Sequence, residues 1–340
     1  MSIIIFQTAL NAVLPIVLTI MVGYFLQRRG FFSESFLSVG NKLVFRIGLP
    51  VVLFVNVYSI DSLSQIRWDI CLYCVGVTTL LFLLGCATAL VTTPVAERRG
   101  VMVQCIFRSN YAIVGMSLAA ALGGERTTAV AAVLTAALVP YFNMLAVLAL
   151  SIFRRDESGD RPGVKKIAGD VARNPLIAGV ALGLLALLVR QWQLRRFGAV
   201  VFSLQRDLTP VFEVLRSLKV MTTPLALLVL GGQFRFSAVR GLFKEIVVGT
   251  AWRTVLAPLI GVGGAVLLNR FGVLECGAVE YPALLTLYGS PVAASSAIMA
   301  REMHNDEQLA TQYLVWTSVV SIATIFGASC LMMQLGLIEV

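Results

Sequence analysis

Apolar residues occur along this chain in long runs separated by short clusters of charge. The runs cover positions 3–25, 36–59, 69–93, 99–123, 128–153, 174–192, 209–232, 243–268, 280–303 and 309–337. Each approaches or exceeds the roughly 20 residues that a helix needs to cross the hydrocarbon core of a bilayer. The pattern predicts an all-α polytopic membrane protein of about ten transmembrane helices. The longest polar interval, 154–173, carries RRDESGDRPGVKK. It predicts an exposed cytoplasmic linker between a first five-helix half, 1–153, and a second, 174–340.

Five crossings in each half require any internal repeat to be inverted in the membrane, because an odd number of crossings flips the second copy. Three features recur in matching positions. Pro15 stands eight residues before Gly23 in the first helix, as Pro175 stands eight before Gly183 in the sixth. Pro50 in the second helix precedes VVLFV, and Pro224 in the seventh precedes LALLV. The fourth helix is interrupted around RSNYAIVG and the ninth around LYGSPVAASS. Two inverted five-helix repeats with broken crossing helices four and nine follow as the expected architecture.

Composition agrees with insertion in lipid. Hydrophobic residues make up 58% and charged residues 13%, with a mean hydropathy of +0.86, whereas a soluble domain carries about 25% charge. The net charge of +9 is a topology signal, not a nucleic-acid signature. Lys and Arg are twice as frequent in one set of alternate loops (Arg28, Arg29, Arg98, Arg99, the linker, Arg235, Arg240, Lys244, Arg301) as in the other. The richer set is expected to be cytoplasmic in a cell inner membrane, which leaves both termini non-cytoplasmic. The first run lacks a basic leader and is followed by Arg28 and Arg29, the reverse of a cleavable signal. The six cysteines lie mostly in apolar runs and read as packing residues; Cys71 and Cys74 are a CxxC by spelling only. No metal or cofactor is expected.

A helix broken at bilayer depth leaves backbone N–H and C=O groups that lipid cannot satisfy, so such breaks persist only beside packed protein or a polar cavity. The first break centres on Arg108, Ser109 and Asn110, and the second on Gly289, Ser290 and Pro291, with Ser295 and Ser296 one turn later. Half-helices beginning after the breaks turn positive ends toward the site. Such an end favours an anion by about 0.3–1 kcal/mol, and up to about 2 when partly buried. Arg108 adds a guanidinium suited to carboxylates; it can equally snorkel or pin the crossing. Asn110 can recognise substrate or satisfy broken backbone. Arg46, Lys219, Tyr141 and Asn143 are candidates for the cavity wall, each also readable as a snorkelling cation or interhelical glue. Thr222, Thr223 and Gln233 stand with them, and Gly179 with Gly183 reads as a close helix contact.

Acidic residues fall almost wholly in loops or near helix ends, Glu213 being the nearest candidate for an intramembrane carboxylate. Nothing at either break forms an acidic relay. The chain has no GxxxxGK[ST], HExxH or GxSxG motif, so neither an ATPase nor an enzyme is expected.

The segments LPIVLTIMVGYFLQRRGFFSES, NKLVFRIGLPVVLF, FRSNYAIVGMSLAAALGG and YGSPVAASSAIMAREMHNDEQLATQYLVWTSVVSIATI resemble the auxin efflux carrier family, especially bacterial members described as malonate- or malate-type permeases. The likeness covers nearly the whole chain. The resemblance implies a dimeric ten-helix carrier, related in architecture to bile acid:sodium symporters and sodium/proton antiporters, that moves substrate by an elevator-type alternation. By the same resemblance Asn110 matches the polar residue of the first crossing and Pro291 the proline of the second. Plant members have a proline where this chain has Ser109, and a long cytosolic loop where it has the short linker after Phe153. A secondary transporter of a small organic anion, a carboxylate, is the function expected; a membrane sensor using the same fold without transport is the alternative. The partners expected are the anion, the lipid bilayer and a second copy of the chain.

Overall fold

The computed structural model describes residues 2–59, 67–153, 169, 173–235 and 237–338. The expected linker, with Arg154, Arg155, Arg161, Lys165 and Lys166, lies outside the described residues apart from positions 169 and 173.

The regular elements described are helical. In chain order they are α1 (Ser2–Arg28), α2 (Glu34–Tyr58), α3 (Trp68–Thr92), α4 (Ala96–Phe107), α5 (Tyr111–Ile152), α6 (Pro175–Phe197), α7 (Leu204–Asp207), α8 (Thr209–Gln233), α9 (Ala238–Arg270), α10 (Glu280–Gly289), α11 (Ser295–Glu302) and α12 (Glu307–Gln334). Seven of them, α2, α3, α5, α6, α8, α9 and α12, are long and apolar enough to cross a membrane, and the stretch Val13–Arg28 of α1 is a shorter apolar helix. At 42 residues α5 is about twice the length one crossing needs. Gly124, with φ 63° and ψ −153°, bends it into two arms, in a backbone region open to glycine alone. Local chemistry sets the starts of other helices. Ser33 Oγ accepts from the Phe36 N–H at the start of α2, Asn174 Oδ1 from Leu176 at α6 and Asp306 Oδ1 from Leu309 at α12.

Two helix pairs pack with backbones in close approach. A Cβ added to Gly23 of α1 would collide with the Leu228 carbonyl of α8, and one on Gly231 with the Ile20 carbonyl. In the other pair, a Cβ on Gly179 or Gly183 of α6 would run into Pro50, or into Val57 and the Phe54 carbonyl, on α2. Small residues allow this approach, and it is the dispersion contact on which helix association in lipid depends. Outward faces remain apolar: Leu14, Leu18 and Phe25 on α1 and Leu185, Leu188 and Trp192 on α6 are exposed, as a hydrocarbon solvent requires.

One end of the bundle is tied by polar contacts. Arg98 donates to Asp306 (2.9 Å) and Glu245 (3.1 Å), Asn41 to Glu302 (2.6 Å), Arg301 to Glu307 (3.2 Å), and Asn305 to the Leu150 carbonyl (3.1 Å). This collar joins the ends of α2, α4, α5, α11 and α12 to the first turns of α9. Arg67 with Asp69 and Glu280 marks another polar cluster, at the starts of α3 and α10.

Candidate functional site

Both expected helix interruptions are present. After α4 the backbone of Arg108 is extended (φ −91°, ψ 114°), and after α10 that of Ser290 is extended (φ −61°, ψ 148°). The two extended stretches meet. Ser109 and Val292 form an isolated antiparallel bridge, and the Asn110 N–H donates to the Pro291 carbonyl at 2.7 Å. Thr317 Oγ1 of α12 accepts from the Val292 N–H at 3.1 Å. Backbone groups freed by each break are thus partly satisfied by the other, which answers the demand that lipid imposes.

A cavity of about 460 Å³ lies against this junction, within the usual range of roughly 300–1,000 Å³ for small-molecule sites. Its wall is built from Leu49, Leu53 and Asn56 of α2, the break Arg108–Asn110, Thr135, Val139 and Asn143 of α5, Lys219, Thr222 and Thr223 of α8, and Ala293, Ala294 and Ser295 after the second break. Among the described residues Arg108 and Lys219 are the charged members of that wall, and none of its members is acidic.

Arg108 is 2% exposed. Its guanidinium donates to Gln104 Oε1 (2.6 Å) and Met299 Sδ (2.8 Å) through Nη1, and to Asn143 Oδ1 (2.7 Å) and Ser295 Oγ (2.7 Å) through Nη2. All four partners are neutral, and among the described residues no carboxylate forms an ion pair with it. A charged side chain at bilayer depth costs about 2.5–3.5 kcal/mol on insertion scales, so hydrogen bonds hold this charge without cancelling it. Beside it, Ser109 Oγ and Asn110 Nδ2 are buried with no hydrogen-bond partner among the described residues, although both residues line the cavity. Buried polar atoms need partners, and on the cavity wall a ligand or water can supply them to these two.

The structure gathers Arg108, Ser109, Asn110, Asn143, Lys219, Thr222, Thr223 and Ser295 on one cavity. The other sequence candidates lie off that wall. Gly289 abuts Ile325, Ser290 Oγ donates to the Thr286 carbonyl (2.5 Å), and Pro291 contributes its carbonyl to the bridge. These three shape the second crossing, and the residues after them face the cavity. Tyr141 pairs with Thr79 of α3 at 2.7 Å, because it lies off the helical face that presents Val139, Phe142 and Asn143. Arg46 is exposed. Plain α-helical spacing would set it three residues before Leu49 on the same face, but it sits in a π-helical turn, Val44–Gly48, that shifts the phase. Glu213 is also exposed, 3.6 Å from Arg216 near the start of α8, and is not among the residues of the cavity wall.

The sequence reading missed Asn56 and Thr135 in the cavity wall and Gln104 and Met299 around Arg108. It also passed over Arg253, a lone cation inside the apolar run GTAWRTVLAPLIG and fully buried; its isolation in that run was the available signal.

Apolar membrane-length helices, two interrupted helices joined by their breaks and a largely apolar cavity with polar groups at the junction define a multi-pass membrane transport protein. The chain belongs to the membrane transport protein family, whose model matches residues 8–327; this is the auxin efflux carrier family that its segments resemble. No curated protein matches the chain.

Proposed function

We propose that the protein is a secondary carrier of a small organic anion, a carboxylate, bound at the first crossing by Arg108, Ser109, Asn110 and Ser295, with Lys219 on the facing wall. The single observation behind this reading is the Arg108 guanidinium, buried among neutral partners beside two polar atoms that, among the described residues, have no partner, in a cavity wall whose described residues include none that is acidic. An anion adds the missing negative charge and accepts the free Asn110 N–H and Ser109 O–H. A cation gains nothing there.

The carrier is proposed to be a ten-helix protein of two inverted repeats, α4 and α10 each completing a crossing with the half-helix that follows its break. The glycine contacts support this. Gly23 meets the carbonyl four residues after Pro224, and Gly183 the carbonyl four residues after Pro50, the same contact made by exchanged partners. In an elevator motion α1, α2, α6 and α8 form the scaffold and dimer contacts, and the remaining helices carry the site. The polar collar lies at the end rich in Lys and Arg, which the topology rule makes cytoplasmic in an inner membrane, with both termini outside. No observation favours the sensor alternative.

The test is uptake into proteoliposomes of labelled monocarboxylates, dicarboxylates, indole acids and, as controls, organic cations of matched size. Saturable uptake of at least one carboxylate, competed by unlabelled anion and not by cation, is the expected result. Uptake confined to cations sinks the reading.

A further inference from the structure

The α9 helix carries Arg253 inside a π-helical turn, Trp252–Leu256, with a side chain 0% exposed. Its Nη1 donates to the Ile106 carbonyl at 3.2 Å, and its Nη2 donates to the Tyr288 carbonyl. Ile106 is the penultimate residue of α4 and Tyr288 the penultimate residue of α10. One guanidinium therefore bonds the carbonyl end of both half-helices that lead into the crossing. Arg253 is not part of the cavity wall, and among the described residues no carboxylate forms an ion pair with it.

A helix C-terminus carries roughly half a negative charge. Two of them converging give about one, which one guanidinium balances. The last carbonyls of a helix also lack intrahelical donors, and at bilayer depth water does not supply them. We infer that Arg253 is the tethered cation of the crossing, a positioning residue that neutralises the carbonyl ends of α4 and α10 together and binds them to α9 as one body, so that the crossing holds its shape without a dissolved cation. This does not depend on which substrate the cavity takes.

The first test uses the wild-type full chain in lipid nanodiscs, with its thermal midpoint read in NaCl, KCl and choline chloride at equal ionic strength. The three midpoints are expected to agree within about a degree, scatter that corresponds to under about 1 kcal/mol. Stabilisation by several degrees in NaCl or KCl overturns the inference, since a dissolved cation would then be filling the role. The second test compares Arg253→Lys with Arg253→Ala. The lysine variant is expected to keep most of the wild-type midpoint. The alanine variant is expected to lose several degrees and to regain part of them in millimolar guanidinium chloride but not in equal choline chloride. An alanine variant as stable as wild type, or one indifferent to guanidinium while lysine also fails, overturns it. Should the alanine variant not be recovered from membranes, the salt series and the lysine variant still decide.

Discussion

Arg108 and Arg253 carry the same charge at nearly the same burial, 2% and 0% exposed, yet they meet different surroundings. Arg253 spends its Nη donors on main-chain carbonyls that belong to two helix ends. Arg108 bonds side chains of Gln104, Met299, Asn143 and Ser295, at the edge of a cavity. Carbonyls at helix ends carry a standing negative field, whereas amide, thioether and hydroxyl groups are dipoles that can turn. A guanidinium balanced by helix ends is architecture. One held by neutral side chains beside a cavity still has a field to offer a ligand. Burial and residue type alone do not separate the two; the identity of the partners does.

The largest effect expected from breaking that contrast is thermal. Arg253→Gln leaves buried carbonyls short of donors, at about 1–3 kcal/mol for each unsatisfied group, and should lower the melting midpoint by about 5 °C or more. Arg108→Gln, which removes a charge that no carboxylate among the described residues neutralises, should move it by about 2 °C or less; equal shifts erase the distinction. Asn110→Ala comes next. Losing one hydrogen bond of about 0.5–1.5 kcal/mol should raise the half-saturating substrate concentration by up to about tenfold, in initial-rate uptake. Lys219→Met should raise it about threefold, an effect that shrinks as ionic strength increases because the lysine is half-buried and its charge is screened. Ser290→Ala should stay within about twofold in the same assay, since the Ser290 hydroxyl is turned back to the Thr286 carbonyl. A larger loss would move the second break from architecture into binding.

The two breaks were legible in the sequence because each is written in residue types that contradict their setting. RSN stands in an apolar run, and GSP brings together a flexible residue and one that cannot donate. The glycine contacts were half legible: Pro–Gly spacing marked Gly23 and Gly183, but the partners Leu228 and Phe54 come from a fold that pairs helices across the two halves. Which polar residues face the cavity was not legible where the helical phase changes. A π-helical turn carries Arg46 off the face of Leu49 and Leu53, and nothing in VFRIG announces it. Pro291 drew attention as the kinking residue, whereas its successors Ala293 and Ala294 line the cavity and are chemically silent in a sequence. Arg253 is visible in the sequence but its role is not, because a single cation in an apolar run acquires meaning only when two helix ends, far apart in the chain, are brought to it.

The most direct measurement is uptake of whichever labelled carboxylate the wild-type protein carries, by Arg108→Gln in proteoliposomes, with the amount of folded carrier matched by its melting profile. An anion bound at Arg108 loses charge-assisted hydrogen bonds of about 1.5–3 kcal/mol in total, so uptake at subsaturating substrate is expected to fall by about ten- to a hundredfold while the protein remains folded. Uptake by Arg108→Gln equal to that of wild type would contradict an anion held at the first crossing.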